Sequence, residues 1–200
     1  MHSEYFIRPD YTHRLETSYF DDTALEDEWQ REVYLRAAKL MDEGNLSTVI
    51  DVGCGSGFKL VNYLGKYETL GLDMPERVNF LQKTYPTKQW GISDFDGPRP
   101  HAADLVICSD VIEHVSDPSA LMKFIVSVAK NWVVLSTPDR DLVYPEDSPF
   151  HLGPPRNSTH IREWNFVEFG SFINEFLHIE EHSISNNEQA TQMIVGRVRS

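Results

Sequence analysis

Val49-Ile50-Asp51-Val52-Gly53-Cys54-Gly55-Ser56-Gly57 leads from a short apolar run through a Gly-x-Gly-x-Gly turn. Thr48 to Val52 has the composition of a parallel strand covered on both faces. Glycines in the turn let the backbone pass close to a bound ligand, where side chains would collide. Open α/β sheets bind ligands at the carboxyl ends of their strands, beside the point where strand order reverses. A dinucleotide-binding turn would read Gly-x-Gly-x-x-Gly, but the sixth residues counted from Gly53 and Gly55 are Phe58 and Leu60. Asp51, inside the strand end, would repel a pyrophosphate and favours a cationic group instead. The plainer alternative is a turn that merely joins a strand to a helix.

Two acidic residues farther along weigh against that alternative. Asp73 ends the next strand in Gly71-Leu72-Asp73, 22 residues after Asp51. A carboxylate at that distance can accept hydrogen bonds from both hydroxyls of a ribose. Ser93-Asp94-Phe95 ends the third strand, where Asp94 could accept an adenine amino group and Phe95 or Ile92 could face the ring. Taken alone, Asp94 reads equally well as a solvated turn residue.

Around this segment strands and helices alternate. Strands are expected at 48–52, 67–72, 88–92, 103–108 and 132–136, with helices near 57–65, 75–85 and 118–130. Pro75 and Pro118 suit first helical positions. Residues 138–160 hold five prolines and no apolar period, so they form a long loop of a kind that is more often functional than idle. Asn165 starts a helix with Phe166, Phe169, Phe172, Ile173 and Phe176 along one side, a stripe at core spacing. Strands at 177–184 and 191–198 close the chain. Upstream, Leu25, Trp29, Val33, Ala37, Leu40 and Met41 recur at helical steps from an N-cap at Thr23 to Gly44. Residues 1–22 carry Tyr5, Phe6, Tyr11, Tyr19 and Phe20 without a period; this arm either folds over the ligand as a lid or packs on the sheet edge. Five βα units and a two-strand finish give an α/β fold with a doubly wound sheet.

Two hundred residues suit a single domain over 1–200. No run approaches the roughly 18 apolar residues of a membrane span, and the amino terminus lacks the pattern of a secretory signal. Cys54 and Cys108 are isolated at strand ends, which suits a reducing cytoplasm. Net charge is −13, from 31 acidic and 18 basic residues. That field opposes nucleic-acid and membrane partners and leaves a small-molecule substrate, with a monomer or homodimer expected.

The segment 51–57, Asp73, Asp94, and Ser109-Asp110-Val111-Ile112-Glu113-His114-Val115-Ser116-Asp117-Pro118 together resemble the ordered motifs of class I methyltransferases. Over roughly 45–140 they are most similar to the small-molecule branch that includes the ubiquinone-biosynthesis O-methyltransferases. The resemblance implies a Rossmann-like three-layer sandwich whose seven-stranded, mostly parallel sheet has the order 3-2-1-4-5-7-6. It also implies S-adenosylmethionine as cofactor, bound by Asp51, Gly53, Cys54, Gly55, Gly57, Asp73, Met74, Asp94, Phe95 and Ser109. The arm and helix over 1–44, as a lid, and the loop over 138–164 then fall to the substrate side.

Methyl transfer to a hydroxyl needs alignment and a base for the proton. His114, on the loop after the fourth strand, is the first candidate base; its other reading is a loop-bracing imidazole. His160 is the second, in Thr159-His160-Ile161-Arg162-Glu163-Trp164, which resembles a segment in methyltransferases of polysaccharide and natural-product clusters. Arg162 could hold an anionic substrate group or form a surface pair; Arg156 and His151 are weaker forms of the same idea.

Asp110, Glu113 and His114 also resemble the Glu-x-x-Glu-His pattern on which small-RNA 2′-O-methyltransferases and some ubiquinone-pathway enzymes place a divalent ion. His151 or His160 stands downstream, and such ligands would suit magnesium or manganese. Asp110 shortens the reach, so the metal stays an alternative and no ligand set is assigned. The expected activity is methylation of an oxygen on a small polar, sugar-derived or natural-product acceptor. N-methylation of an amine and a non-catalytic methyltransferase-like subunit are its rivals.

Overall fold

The strand that runs into the glycine turn, β1 (Thr48–Val52), pairs in parallel with β2 (Glu68–Asp73) on one side and β4 (Ala103–Ser109) on the other. The computed structural model describes residues 4–16, 24–93 and 97–199. Beyond β2 lies β3 (Gln89–Ile92), and beyond β4 come β5 (Ala129–Pro138), β7 (Thr191–Val198) and β6 (Leu177–Asn186). The order is therefore 3-2-1-4-5-7-6, and β7 runs antiparallel to both of its neighbours. Strand order reverses between β1 and β4, so their carboxyl ends open a crevice between the two halves.

Strand side chains alternate between two apolar layers. Ile50, Val52, Val106, Cys108, Val133 and Leu135 face α4 (Pro118–Val128) and α6 (Phe166–Ile173). Val49, Leu105, Ile107 and Val134 face α1 (Arg31–Glu43), α2 (Phe58–Leu64) and α3 (Pro75–Thr84). The result is a three-layer sandwich. By the same alternation Asp51 belongs with Val49, on the α1 face. No helix among the described residues is long and apolar enough to cross a membrane.

Element ends differ from the sequence expectation where tertiary bonds outweigh local pattern. The first helix starts at Arg31, because Gln30 is left-handed (φ 59°) and tied on both sides. Its amide N–H donates to Gln189 Oε1 (3.2 Å) and its side chain to Asp110 Oδ2 (3.0 Å). Thr23, the expected cap, lies outside the described residues. The proline-rich loop contains a four-residue helix, α5 (Arg140–Val143), started by Asp139, whose carboxylate accepts from the Asp141 N–H. In α6, Asn165 and Glu168 bond each other's backbone N–H groups, a reciprocal cap that fixes where the helix begins.

Residues 4–16 brace the proline-rich loop rather than cover the crevice. Ile7 and Tyr11 are buried, the Thr12 N–H donates to Leu152 O (2.8 Å), and the Arg14 N–H to Ile161 O (2.8 Å). The Arg14 guanidinium also reaches Pro155 O and His160 O. Glu168 joins the pieces: both its oxygens bind the Arg140 guanidinium (2.7 and 3.0 Å), and Oε1 accepts from the Arg8 N–H. Tyr19 and Phe20 lie outside the described residues.

Candidate functional site

Gly53, Gly55 and Gly57 all have positive φ (75°, 56° and 74°), so the turn after β1 coils in a conformation that L side chains rarely adopt. A Cβ on Gly53 would also sit 2.3 Å from Val111 Cγ2, so the loop after β4 closes tightly on this bend. The turn is held by backbone and by one carboxylate. Gly53 and Cys54 both donate to Leu72 O, and the Gly55 N–H donates to Asp73 Oδ2 at 2.8 Å. The other Asp73 oxygen accepts from the Met74 N–H.

Asp51 sits beneath the turn, fully buried, and accepts from the Tyr34 hydroxyl at 2.8 Å through Oδ2. Its Oδ1 has no hydrogen-bond partner. Burial pushes its pKa up to about 7, against the pull of the Tyr34 bond and Lys59, with Asp73 adding to the rise.

A cavity of 330 Å³ opens above the turn. Gly53 to Ser56 form one wall, Ser109, Asp110, Glu113 and His114 the next, and Asn157, Thr159 and His160 the far side. Leu25, Trp29 and Gln30 cover one rim, and Gln189 and Thr191 complete it. The segment before α1 is thus the described chain nearest to a cover.

Across the cavity from the glycines stand two imidazoles, edge to face with ring centres 4.7 Å apart. His114 Nδ1 lies 2.7 Å from Thr159 O, and a carbonyl only accepts, so that nitrogen carries the proton. His160 sits in a chain of bonds that fixes its tautomer too. Asn157 Oδ1 accepts from the backbone N–H and hydroxyl of Thr159, so the Asn157 NH₂ is the group facing His160 Nε2 at 2.9 Å. Nε2 must accept, and Nδ1–H therefore donates to Glu163 Oε1 at 2.6 Å. Glu163 is buried, and its Oε2 has no partner.

Glu113, fully buried below the histidines, accepts from the Thr137 hydroxyl at 3.0 Å and leaves Oε1 without a partner. Burial and then Asp110 push its pKa up to about 8, while His160 pulls it down. Glu113, His114 and His160 each bring a ligand atom within 4.8 Å of the others, a spacing that could hold a divalent ion. The Asp110–Glu113–His114 grouping, raised from sequence only as an alternative, is not the one that comes together. Asp110 spends its oxygens on the Ser136 hydroxyl (2.6 Å) and the Gln30 amide (3.0 Å), and His160 takes its place.

Of the cofactor residues expected from sequence, Gly53, Cys54, Gly55 and Ser109 line the cavity, Asp51 lies under it, and Asp73 braces the turn. Gly57 is the N-cap of α2, packed against Leu81 and Trp90, and Met74 is half exposed at the start of α3. Asp94 and Phe95 lie outside the described residues. His114 and His160 both reach the cavity wall.

Arg162 and His151 do not. Arg162 is buried, donates to Val115 O (2.7 Å) and Ser116 O (2.9 Å), and lies over the Tyr5 and Trp164 rings. His151 is buried within the proline-rich loop, 3.9 Å from Asp141. Arg156 is exposed, and its guanidinium makes no ion pair among the described residues. Sequence reasoning missed Gln30, Tyr34, Asn157 and Glu163. Only Glu163 offered a signal, its spacing of three from His160.

Comparison with known proteins agrees with this geometry. A family described as a methyltransferase domain matches residues 22–176. A ubiquinone biosynthesis O-methyltransferase of Nitrosomonas europaea is 29% identical over 111 residues, covering 49% of this chain and 47% of that protein. The chain spans about half the length of the curated relatives it matches. Magnesium protoporphyrin IX methyltransferase from Synechocystis PCC 6803, solved with bound S-adenosylhomocysteine, superposes with a TM-score of 0.66 at 18% identity, covering 84% of this chain and 83% of that one. The N-methyltransferase NodS from Bradyrhizobium japonicum WM9, also with S-adenosylhomocysteine, gives 0.66 at 15% identity, covering 90% and 95%. The match over 22–176 takes in the glycine turn, the loop after β4 and the histidine pair, and the chain belongs to the methyltransferase domain family.

Proposed function

We propose that the cleft binds S-adenosylmethionine and that the protein methylates an oxygen of a small acceptor, with His160 as base. The observation that carries this reading is the tautomer-locked His160 on the wall of the cavity that the glycine turn also lines. The chain's own residues fit the cofactor. The bare bend at Gly53 and Gly55 admits a ligand against the backbone, and buried oxygens of Asp51 and Glu113 with no partner favour positive charge nearby. When bound, the sulfonium supplies an electrophilic methyl carbon.

The protein's task is then to position and to remove a proton. The acceptor hydroxyl would take the place of the Asn157 amide at His160 Nε2 and give up its proton there as its oxygen accepts the methyl group. Glu163 holds Nδ1–H and stabilises the imidazolium that results. A base of this kind is worth roughly 10²–10⁴-fold to a hydroxyl. An amine needs it less, so the built base favours oxygen over nitrogen. The names of the curated relatives, O-methyltransferases of ubiquinone biosynthesis, support the same choice. The net charge of −13 supports a small molecule over a nucleic acid.

A second reading rests on the Glu113, His114 and His160 cluster, whose spacing would let a divalent ion lower the acceptor hydroxyl's pKa instead. Calorimetry and turnover separate the readings. S-adenosylhomocysteine should bind the metal-stripped protein, and turnover should survive chelation and fall in His160→Ala. Loss of turnover on chelation, restored by magnesium or manganese, supports the ion. Failure of S-adenosylhomocysteine to bind at all overturns both.

A further inference from the structure

A second, shallower cavity of 570 Å³, open to solvent, lies along the proline-rich loop. Val143, Tyr144, Pro145, Pro149 and Phe150 make most of its wall, with the Tyr144 and Phe150 rings 5.8 Å apart and tilted by 38°. Tyr144 is fixed from both sides. It is buried, and its hydroxyl accepts from the Arg156 N–H at 2.9 Å. Val143 and Phe150, by contrast, keep more than a third of their surface in water. A wall of half-exposed apolar side chains around a fixed ring suits a planar or branched hydrocarbon body.

One charge stands in that wall. Arg156 lines the cavity, and no described carboxylate neutralises its guanidinium. Glu146 and Asp147 adjoin Pro145 and Ser148 in sequence but are not part of the wall. Arg156 is the one basic residue among those that line this hollow, and an anionic group is what a guanidinium would pair with there.

The two cavities share a residue. Asn157 lines both, and its amide lies 2.9 Å from His160 Nε2. The two cavities therefore meet at Asn157.

We propose that this second cavity is the acceptor site and that it takes a hydroxylated apolar acid. The ring or branched body would lie on Tyr144 and Phe150, the carboxylate, sulfate or phosphate would meet Arg156, and the hydroxyl would enter past Asn157. The inference rests on the proposed methyl-transfer reading for the adjoining cavity and narrows its small acceptor to amphiphilic anions, in place of the polar, sugar-derived molecule expected from sequence.

The test is calorimetric titration of the full chain, with and without S-adenosylhomocysteine, using 4-hydroxyphenylacetate, its neutral amide and glucose 6-phosphate. The acid should bind at least tenfold more tightly than the amide and more tightly than the sugar phosphate. Arg156→Gln should bring the acid down to the affinity of the amide and leave the amide unchanged. Val143→Trp, which fills the cavity from a partly exposed position, should weaken both. Neither variant should change affinity for S-adenosylhomocysteine, which reports on the first cavity alone. Equal binding of acid and amide, a preference for glucose 6-phosphate, or indifference to both substitutions overturns the inference even where S-adenosylhomocysteine binds. Binding of the acid at Arg156 without any binding of S-adenosylhomocysteine overturns the methyl-transfer reading instead.

Discussion

Glu163 Oε1 lies 2.6 Å from His160 Nδ1, and both side chains are at least nine-tenths buried. The neutral imidazole donates its Nδ1–H to this carboxylate and so fixes its orientation. Removing the donor leaves a buried carboxylate oxygen unsatisfied, at about 1–3 kcal/mol. His160→Ala should therefore destabilise the fold by that order in urea unfolding, and Glu163→Leu added to it should recover most of the loss. Additive costs in the double-mutant cycle would show that the pair is not coupled.

Asp51 gives a prediction with a definite pH direction. Burial raises its folded pKa to about 7, well above that of an unfolded aspartate near 4. The folded state then holds the proton where the unfolded state releases it, so stability from this group is fully present below about pH 4 and is lost as pH rises to about 7. Asp51→Asn removes the charge and keeps an acceptor for the Tyr34 hydroxyl. Its melting temperature should match wild type at pH 5 more closely than at pH 8, where the variant should be the more stable. Its affinity for S-adenosylhomocysteine should fall at both.

Arg162 is expected to matter for folding alone. Its guanidinium donates to two carbonyls of the 115–116 turn and lies against two aromatic rings. Each charge-assisted bond is worth about 1.5–3 kcal/mol. Arg162→Met should lower the melting temperature by several degrees, at about 2–4 °C per kcal/mol for a chain of this size. Affinity for S-adenosylhomocysteine and for 4-hydroxyphenylacetate should stay within twofold of wild type.

Gly153 packs against the arm so closely that a Cβ would meet Thr12 O at 2.1 Å, at a positive φ of 69°. Gly153→Ala should loosen residues 4–16 from the loop. Limited proteolysis would show this as faster cleavage near Thr12, with β-sheet circular dichroism retained. Unchanged cleavage would mean that the arm is held elsewhere.

The fold was legible because its deciding features are local. A strand run, a glycine turn, Pro75 and Pro118 at helix starts, and acidic residues at strand ends all act within a few residues of themselves. His114 and His160 were legible as residues that reach the cleft, because each lies on a loop near the carboxyl ends of the strands. What escaped was set by distant partners. Gln30 breaks the expected helix because Asp110 and Gln189 bind it from 80 and 159 residues away. Arg162 looked available for a substrate because the carbonyls that claim it belong to a turn 46 residues upstream. Asp110 looked like a metal ligand until Ser136 and Gln30 were seen to occupy it. Asn157 heads an Asn-Ser-Thr triplet that says nothing of a catalytic role, and only the folded loop puts its amide against His160.

The threading of residues 4–16 through the proline-rich loop bears on how acceptor preference can change among relatives. Tyr11, Thr12 and Arg14 are matched to backbone positions between 152 and 163, so the two segments form one heritable unit split across the chain. A chimera that imports 138–164 from another enzyme while keeping the native arm inherits mismatched partners. If the loop holds the acceptor as proposed, a change of acceptor calls for paired exchange of both segments, with the sheet left as it is.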